Sequence, residues 1–518
     1  VSKKEQFIAA IQKSYHTDKP VIHLGSAILD GEIIGEARVN LPLRMMNRHG
    51  LVAGATGSGK TRTLQVLAEQ LSAAGVPVFM SDIKGDLSGI AQPGPTNAAL
   101  QERSLALGTV FEPKGYPVEL YSLSGNKGAQ MRATILEFGP ILLSKIFELN
   151  DTQSGVLAIL FKYADDKDLP MVDLNDLKKV LNYLSEGPGA AEIKADYGSI
   201  STSTAGTILR KIVALEQQGV GTIFGEKSFD ITDLINRVDG QGVISLLNIS
   251  DVQDKPALFS TFMLSLLAEL YTKLPEAGDL DKPKLVFFLD EAHLLFKDAP
   301  KAFLDQIEQV VRLIRSKGVG IFFCTQMAQD VPVSVLSQLG NRVQHVLRAF
   351  TPQDADALKQ TVKTYPRSEF YAIDQILTTL GIGQALITVL NEKGIPTEVA
   401  ATHLLPPNSV MGPMVQADYE NHVRQSDVYL KYKDPIDPES AYEMLTKRME
   451  AQAKVEAEAK EEVAEVRKGK GEKGMISEAL NSPLAKQIGR EVVRGVFGML
   501  FGKKTTSARK KSGGLFGF

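Results

Sequence analysis

Short apolar runs alternate with amphipathic stretches along much of this chain. Gly50–Ala53, 76–80, Val118–Ser122, 242–249, 284–289 and 319–323 are apolar and bounded by polar residues or glycine, which predicts buried strands. Between them lie helical patterns over 62–74, Pro256–Lys273 and 302–316, the first with Leu64, Leu67 and Leu71 on one face. Strands alternating with helices predict an α/β fold with a mainly parallel sheet. From about 136 to 229 the alternation stops. Ile141, Leu142, Leu143, Ile146 and Phe147, then Val156, Ile159, Leu160 and Tyr163, recur at helical spacing and predict an all-α insertion. Two runs, 385–390 and 397–401, flank Asn391-Glu392-Lys393-Gly394 and predict a closing hairpin.

The ends of the chain have a different character. Residues 1–40 hold an amphipathic helix pattern and two extended pieces, a lead-in packed on the core. The stretch 88–114, rich in Gly, Pro and Asn, predicts a long surface excursion. Beyond 405, a DPIDP linker at 434–438 precedes a charged, Ala-rich helix pattern over 440–466 and a Gly/Lys hinge at 468–473. Leu484, Ile488, Val492, Val496 and Leu500 then share one side of an amphipathic segment, followed by Lys503, Lys504, Arg509, Lys510 and Lys511. Such a tail suits an anionic membrane, DNA or a neighbouring subunit. The expected segments are a lead-in (1–40), a core in two parts (41–135 and 236–405), a helical insertion (136–235) and a helical C-terminal extension (406–518).

Composition narrows the setting. With 518 residues, 43% hydrophobic and 23% charged, the chain is ordinary globular protein of two or three domains. A net charge of −3 gives no global attraction to nucleic acid, so any such site must be a local patch. The single cysteine, Cys324, permits no intramolecular disulfide and is read as a small core residue. That usage, with no signal-peptide pattern and no run of ~18 apolar residues, suits a reducing cytoplasm.

Chemistry concentrates at Gly54-Ala55-Thr56-Gly57-Ser58-Gly59-Lys60-Thr61, which fits G-x-x-x-x-G-K-S/T. The glycines let successive N–H groups point inward at phosphate oxygens, and the following helix adds its positive end. Lys60 reaches β- and γ-phosphates, and the Thr61 hydroxyl suits Mg²⁺. Gly54, Ala55, Thr56, Gly57, Ser58, Gly59, Lys60, Thr61 and Arg62 are the candidate nucleotide-binding set. Downstream, Leu285 to Leu289 followed by Asp290-Glu291 is a Walker B pattern, a buried strand delivering two carboxylates. Asp290 is the candidate Mg²⁺ residue and Glu291 the general base.

Other positions stay open between chemistry and structure. Asp82 ends a strand, where it faces nucleotide or metal or else caps a turn. Gln326 ends another, where it senses the γ-phosphate or orients the water, or else makes a strand-end hydrogen bond. Asp290-Glu291-Ala292-His293 spells the DEAH helicase box. The long gap from Lys60 and the Cys324-Thr325-Gln326 string argue against an RNA helicase, leaving His293 as a helix-start residue contacting backbone. Thr351-Pro352-Gln353-Asp354 marks a capped helix start.

Four segments, NRHGLVAGATGSGKT (47–61), FMSDIKGDL (79–87), KLVFFLDEAHLLF (284–296) and IRSKGVGIFFCTQ (314–326), resemble the HerA/FtsK-type branch of P-loop ATPases. The resemblance runs from about 41 to 405, and the chain closely resembles a bacterial HerA-like group. It implies a RecA-like sheet core, ATP as nucleotide, and a homo-oligomeric, usually hexameric, ring moving double-stranded DNA. It also implies an arginine finger acting in trans, for which Arg315 and Arg342 are the candidates, with surface ion pairing as their other role. The segment before Leu41 is too short for the β-barrel of HerA proteins, and no FtsK-like DNA-reading domain is visible. A nucleotide-controlled scaffold with a protein or membrane partner therefore stands as the second expectation.

Overall fold

The computed structural model describes residues 2–468 except 220, 279, 298 and 300. The chain divides into two units, Val1–Thr446 and Lys447–Phe518. The first is organised on a twelve-stranded sheet. In chain order its strands are β1 (Val21–Leu29), β2 (Glu32–Pro42), β3 (Gly50–Ala53), β4 (Val78–Asp82), β5 (Val118–Ser122) and β6 (Ala129–Gln130). They continue with β7 (Ile244–Asn248), β8 (Leu285–Leu289), β9 (Val319–Thr325), β10 (Asn341–Gln344), β11 (Gln384–Thr388) and β12 (Ala400–Leu404).

The spatial order is β2-β1-β12-β11-β10-β3-β9-β8-β4-β7-β5-β6. From β10 to β6 every pairing is parallel. From β10 to β2 the pairings are antiparallel. β3, β4, β7, β8 and β9 are buried at every position, as parallel strands covered on both faces must be. Their apolar runs are therefore continuous rather than alternating. This is the mainly parallel α/β core that the alternation predicts, and β11 with β12 forms the expected closing pair.

The lead-in contributes more than packing. The helix Lys3–Tyr15, capped reciprocally by Ser2 and Glu5, buries Phe7, Ile11 and Tyr15. β1 and β2 extend the sheet, with Gly25 opposite Leu404. The 88–114 stretch also carries more order than an excursion. Asn97 caps the helix Ala98–Ala106, and Leu100 and Leu107 are buried.

Between β6 and the short hairpin Arg237–Val238/Gln241–Gly242, the described residues contain no strand. They form the helices Ile135–Ile146, Asp151–Asp166, Leu174–Ser185, Ala190–Asp196 and Thr202–Gln217. Thr134, Asn150, Asp173 and Ser201 cap four of these by accepting first-turn N–H bonds. Thr351 caps the helix Pro352–Lys363 in the same way, with Asp354 reciprocating. The charged helix runs Ala441–Lys468. The Gly/Lys hinge, apart from Lys468, and the basic amphipathic tail lie outside the described residues.

A strap at 405–414 crosses the helix Lys60–Ala73. Buried Glu69 accepts N–H bonds from Asn408 (2.8 Å) and Ser409 (3.1 Å) and the Ser409 hydroxyl. Gln65 Nε2 donates to Ser409 Oγ and Val410 O. Replacing Glu69 by Ala leaves three donors without their acceptor, two of them buried. At about 1–3 kcal/mol for each unsatisfied group, we expect Glu69→Ala to lose about 3 kcal/mol, read as a lower urea midpoint, and Glu69→Gln to fall between. A wild-type midpoint for the alanine variant would show that the tether contributes nothing.

Candidate active site

β3 ends at Ala53, and the chain turns through Gly54–Gly59 into the helix Lys60–Ala73. Gly54, Gly57 and Gly59 have φ of +150°, +76° and +105°, a region that side chains rarely adopt. A Cβ on Gly54 would stand 2.5 Å from His345 Cβ, so the loop entrance admits no side chain. A Cβ on Gly57 would meet nothing within 4 Å, which leaves the loop's bend open. The first helical bond beyond the loop is Thr63 N–H to Gly59 O (3.0 Å), so the N–H groups of Lys60, Thr61 and Arg62 precede the ladder. Lys60 Nζ folds across the loop and donates to Gly54 O (2.7 Å) and Ala55 O (3.2 Å). Ser58 Oγ is buried without a partner among the described residues.

The two carboxylates emerge two strands away. β9 lies between β3 and β8, with Ala53 opposite Thr325 and Leu289 opposite Phe323. Gly54 N–H donates to Thr325 O (3.2 Å), and Ala292 N–H donates to Cys324 O (2.8 Å). Asp290 is buried, and its N–H donates to Ser81 Oγ at the end of β4. Burial raises its carboxyl pKa, while the Cys324 thiol, the Glu291 N–H and the Lys84 charge favour the ionised form. Burial likewise pushes the Cys324 thiol well up, so it stays protonated and donates to Asp290. The small core residue thus also touches the acid.

Glu291 sits at φ +47°, uncommon for a residue with a side chain. Its N–H donates to Asp290 Oδ1 (3.0 Å). His293 opens the short helix His293–Phe296, as its place in the sequence predicts. Its Nδ1 lies 3.4 Å from Glu291 Oε2, an ion-pair separation when the ring is protonated that lacks hydrogen-bond alignment.

The remaining candidates divide by position. Gln326 follows β9 directly and is exposed between the loop and the carboxylates. Its turn is held by Asp330, which accepts from Thr325 Oγ1 (2.6 Å) and Met327 N–H (2.9 Å). Arg62 turns aside: Nη1 donates to Gln65 Oε1 (2.9 Å) and Nη2 lies 3.8 Å from Asp86. Asp82 caps a turn, accepting N–H bonds from Gly85, Asp86 and Leu87 at 2.8–3.1 Å, while burial pushes its pKa up to about 6. Arg315 precedes β9 and Arg342 is the second residue of β10, both at the edge of the sheet away from the loop. The chain therefore gathers the P-loop, Asp290, Glu291 and Gln326, and leaves both arginines apart.

The donor set suits Mg²⁺: a hydroxyl at Thr61 and a carboxylate at Asp290 are hard oxygen ligands. Among the described residues no group of three or more His, Cys, Asp or Glu gathers to hold a metal. Sequence reasoning missed His345, Asp330 and the Glu69–Ser409 tether. Each acts through a partner distant in the chain or through a turn, and none carries a motif.

A model of the Helicase HerA-like C-terminal family matches residues 29–506. The DNA double-strand break repair helicase HerA of Sulfolobus acidocaldarius is 23% identical over 391 residues, which are 71% of this chain and 67% of that protein. Its namesake from Sulfurisphaera tokodaii is 23% identical over 384 residues, 69% of this chain and 66% of that one. The chain thus spans about two thirds of the length of the curated relatives it matches. Among solved structures, the bacterial conjugative coupling protein TrwB in its unbound form has a TM-score of 0.49 at 13% identity, covering 79% of this chain and 93% of that one. VirB4 of Thermoanaerobacter pseudethanolicus has a TM-score of 0.46 at 13% identity, covering 75% and 98%.

The left-handed backbone at Glu291 generates a test. Asn tolerates this region better than Glu. Glu291→Asn should remove turnover yet melt at or above the wild-type temperature. A clearly lower melting temperature would mean that the Glu291 side chain stabilises the fold and that its backbone stores no strain.

Proposed function

Because the chain belongs to the Helicase HerA-like C-terminal family, we propose that it is a Mg²⁺-dependent ATPase that couples hydrolysis to translocation or remodelling of double-stranded DNA in an oligomeric ring. The observation that carries the ATPase part is the shared anchoring of the two loops on β9: Gly54 N–H on Thr325 O and Ala292 N–H on Cys324 O. The DNA part rests on the family and on the names of the relatives, each a DNA double-strand break repair helicase.

In this proposal the loop N–H groups and the helix N-terminus hold the phosphates. Lys60 exchanges its bonds to Gly54 O and Ala55 O for β- and γ-phosphate oxygens. Thr61 and Asp290 hold Mg²⁺, which when bound offsets charge on the phosphates. Glu291 takes the proton of the attacking water, and Gln326 orients that water from the end of β9. Arg315 or Arg342 meets the γ-phosphate of a neighbouring subunit, because neither lies at its own chain's loop.

Steady-state ATP hydrolysis at low salt, with no polymer, duplex DNA, single-stranded DNA or RNA, tests the whole. Duplex DNA should stimulate turnover, and added salt should remove the stimulation because phosphate contacts are electrostatic. Lys60→Ala should abolish nucleotide binding. Glu291→Gln should cut turnover by about 10²–10⁴-fold, the usual contribution of a general base, while binding persists. Turnover indifferent to every nucleic acid would overturn the DNA part and favour a scaffold with a protein or membrane partner. Unchanged turnover in Glu291→Gln would remove Glu291 as base.

A further inference from the structure

We propose that His345 is a positioning residue that holds the phosphate-binding loop in its working shape from beneath, through the Thr63 hydroxyl. This rests on the proposal that the loop binds a nucleoside triphosphate. His345 follows β10 and is fully buried. It meets the loop at its entrance, its last glycine and the first helical turn.

At the entrance, His345 N–H donates to Ala53 O (2.7 Å), and its Cβ occupies the space a side chain on Gly54 would need. At the far end of the loop, His345 Cε1 would lie 3.8 Å from a Cβ on Gly59. In the first helical turn, Nε2 lies 2.9 Å from Thr63 Oγ1. That hydroxyl is also placed to donate to Gly59 O at 3.4 Å, the arrangement in which Nε2–H donates to Thr63. The chain from Nε2–H through Thr63 to Gly59 O ties ring, helix and loop into one unit. Thr63 stands two residues after Thr61 and three after Lys60, so the tie acts on the turn that presents both.

Two features argue for more than packing. A ring that only filled space would be satisfied by apolar neighbours, yet this one directs a nitrogen at a hydroxyl of the phosphate-binding turn. Its environment also keeps it uncharged: burial and the Lys60 ammonium lower its pKa to about 4. A neutral donor orients Thr63 without opposing Lys60 for the phosphate. The loop between Leu380 and β11 supports the same place from outside, with Gly383 N–H donating to Ser58 O (3.1 Å) and Arg103 holding Gly383 O (2.7 Å).

The test is titration of the full chain with a fluorescent ATP analogue and Mg²⁺, alongside thermal melting and kcat at saturating ATP. A Gln amide nitrogen reaches the place of Nε2, whereas an Asn amide reaches only that of Nδ1. His345→Phe and His345→Asn should weaken binding about tenfold through a misplaced loop, while His345→Gln stays within about threefold of wild type. kcat should change less than affinity in each. Thr63→Val should weaken binding to a similar degree, and adding it to His345→Phe should cost no more, since both remove one interaction. Wild-type affinity in a folded His345→Phe, or equal losses for Gln and Asn, would overturn the inference. Should His345→Phe lack a cooperative melt, Thr63→Val decides alone: wild-type affinity there also overturns it. A wild-type chain that binds no nucleotide would instead refute the ATPase proposal itself.

Discussion

The site depends on one adjacency, that of β9 between β3 and β8. A P-loop and a pair of carboxylates are inert apart. They become a site only when their strands lie close and end at the same height. The parallel registers Ala53–Thr325 and Leu289–Phe323 set that height. The last two carbonyls of β9 then bind one N–H of each loop, Gly54 directly after β3 and Ala292 three residues after β8. Both loops thus start from fixed points on one buried strand, and a shift of β9 by one residue would displace both together.

Burial sets the chemistry available there. Asp290 is nine-tenths buried beside Glu291, an arrangement that disfavours two negative charges. The Cys324 thiol and the Glu291 N–H donate to it, and the Ser81 hydroxyl holds its backbone. These are neutral groups. A cation brought in with phosphates would meet an acid already oriented, with the Lys84 charge as its other positive neighbour. Glu291 carries the complementary cost in its backbone, at φ +47°. The fold holds both carboxylates in conditions they would not choose alone, as sites of phosphoryl transfer require.

What could be seen in the amino-acid sequence was whatever is local. The buried strands, the helix Pro256–Lys273, the Thr351 cap and the glycines of the P-loop all follow from residue type and spacing over a few positions. Contacts between distant segments left no such trace. β1 joins the sheet by pairing with β12, nearly 380 residues later in the chain. The 88–114 stretch looked irregular by composition, yet Asn97 starts a helix in it. Asp82 was ambiguous because a strand-end carboxylate suits metal and turn equally, and only the three N–H bonds decide for the turn. His345 resembled any apolar strand's neighbour, since nothing local says that it comes to lie beneath Gly54.

The far edge of the sheet bears on assembly. β9 is seven residues long, about 20 Å at roughly 3.3 Å per residue. Arg315 stands before its first residue and Gln326 after its last, so Arg315 is separated from its own chain's loop by about the length of that strand. Arg342 pairs with Leu51 and is likewise behind the loop. The triphosphate proposed for the loop would therefore meet Lys60, a magnesium ion and backbone N–H groups from its own chain, with Lys84 on the Asp290 side. Charge developing on the γ-phosphate needs a further cation if hydrolysis is to be fast. In a single chain neither arginine stands at the end of its strand that faces the loop. In the proposed ring a second copy would supply it, by presenting its loop-distal edge to the first copy's loop-bearing edge. Such a heterologous contact repeats from subunit to subunit and closes into a ring when the rotation permits. On this argument, proposed hydrolysis and proposed assembly are one requirement, set by which edge of the sheet each charged residue occupies.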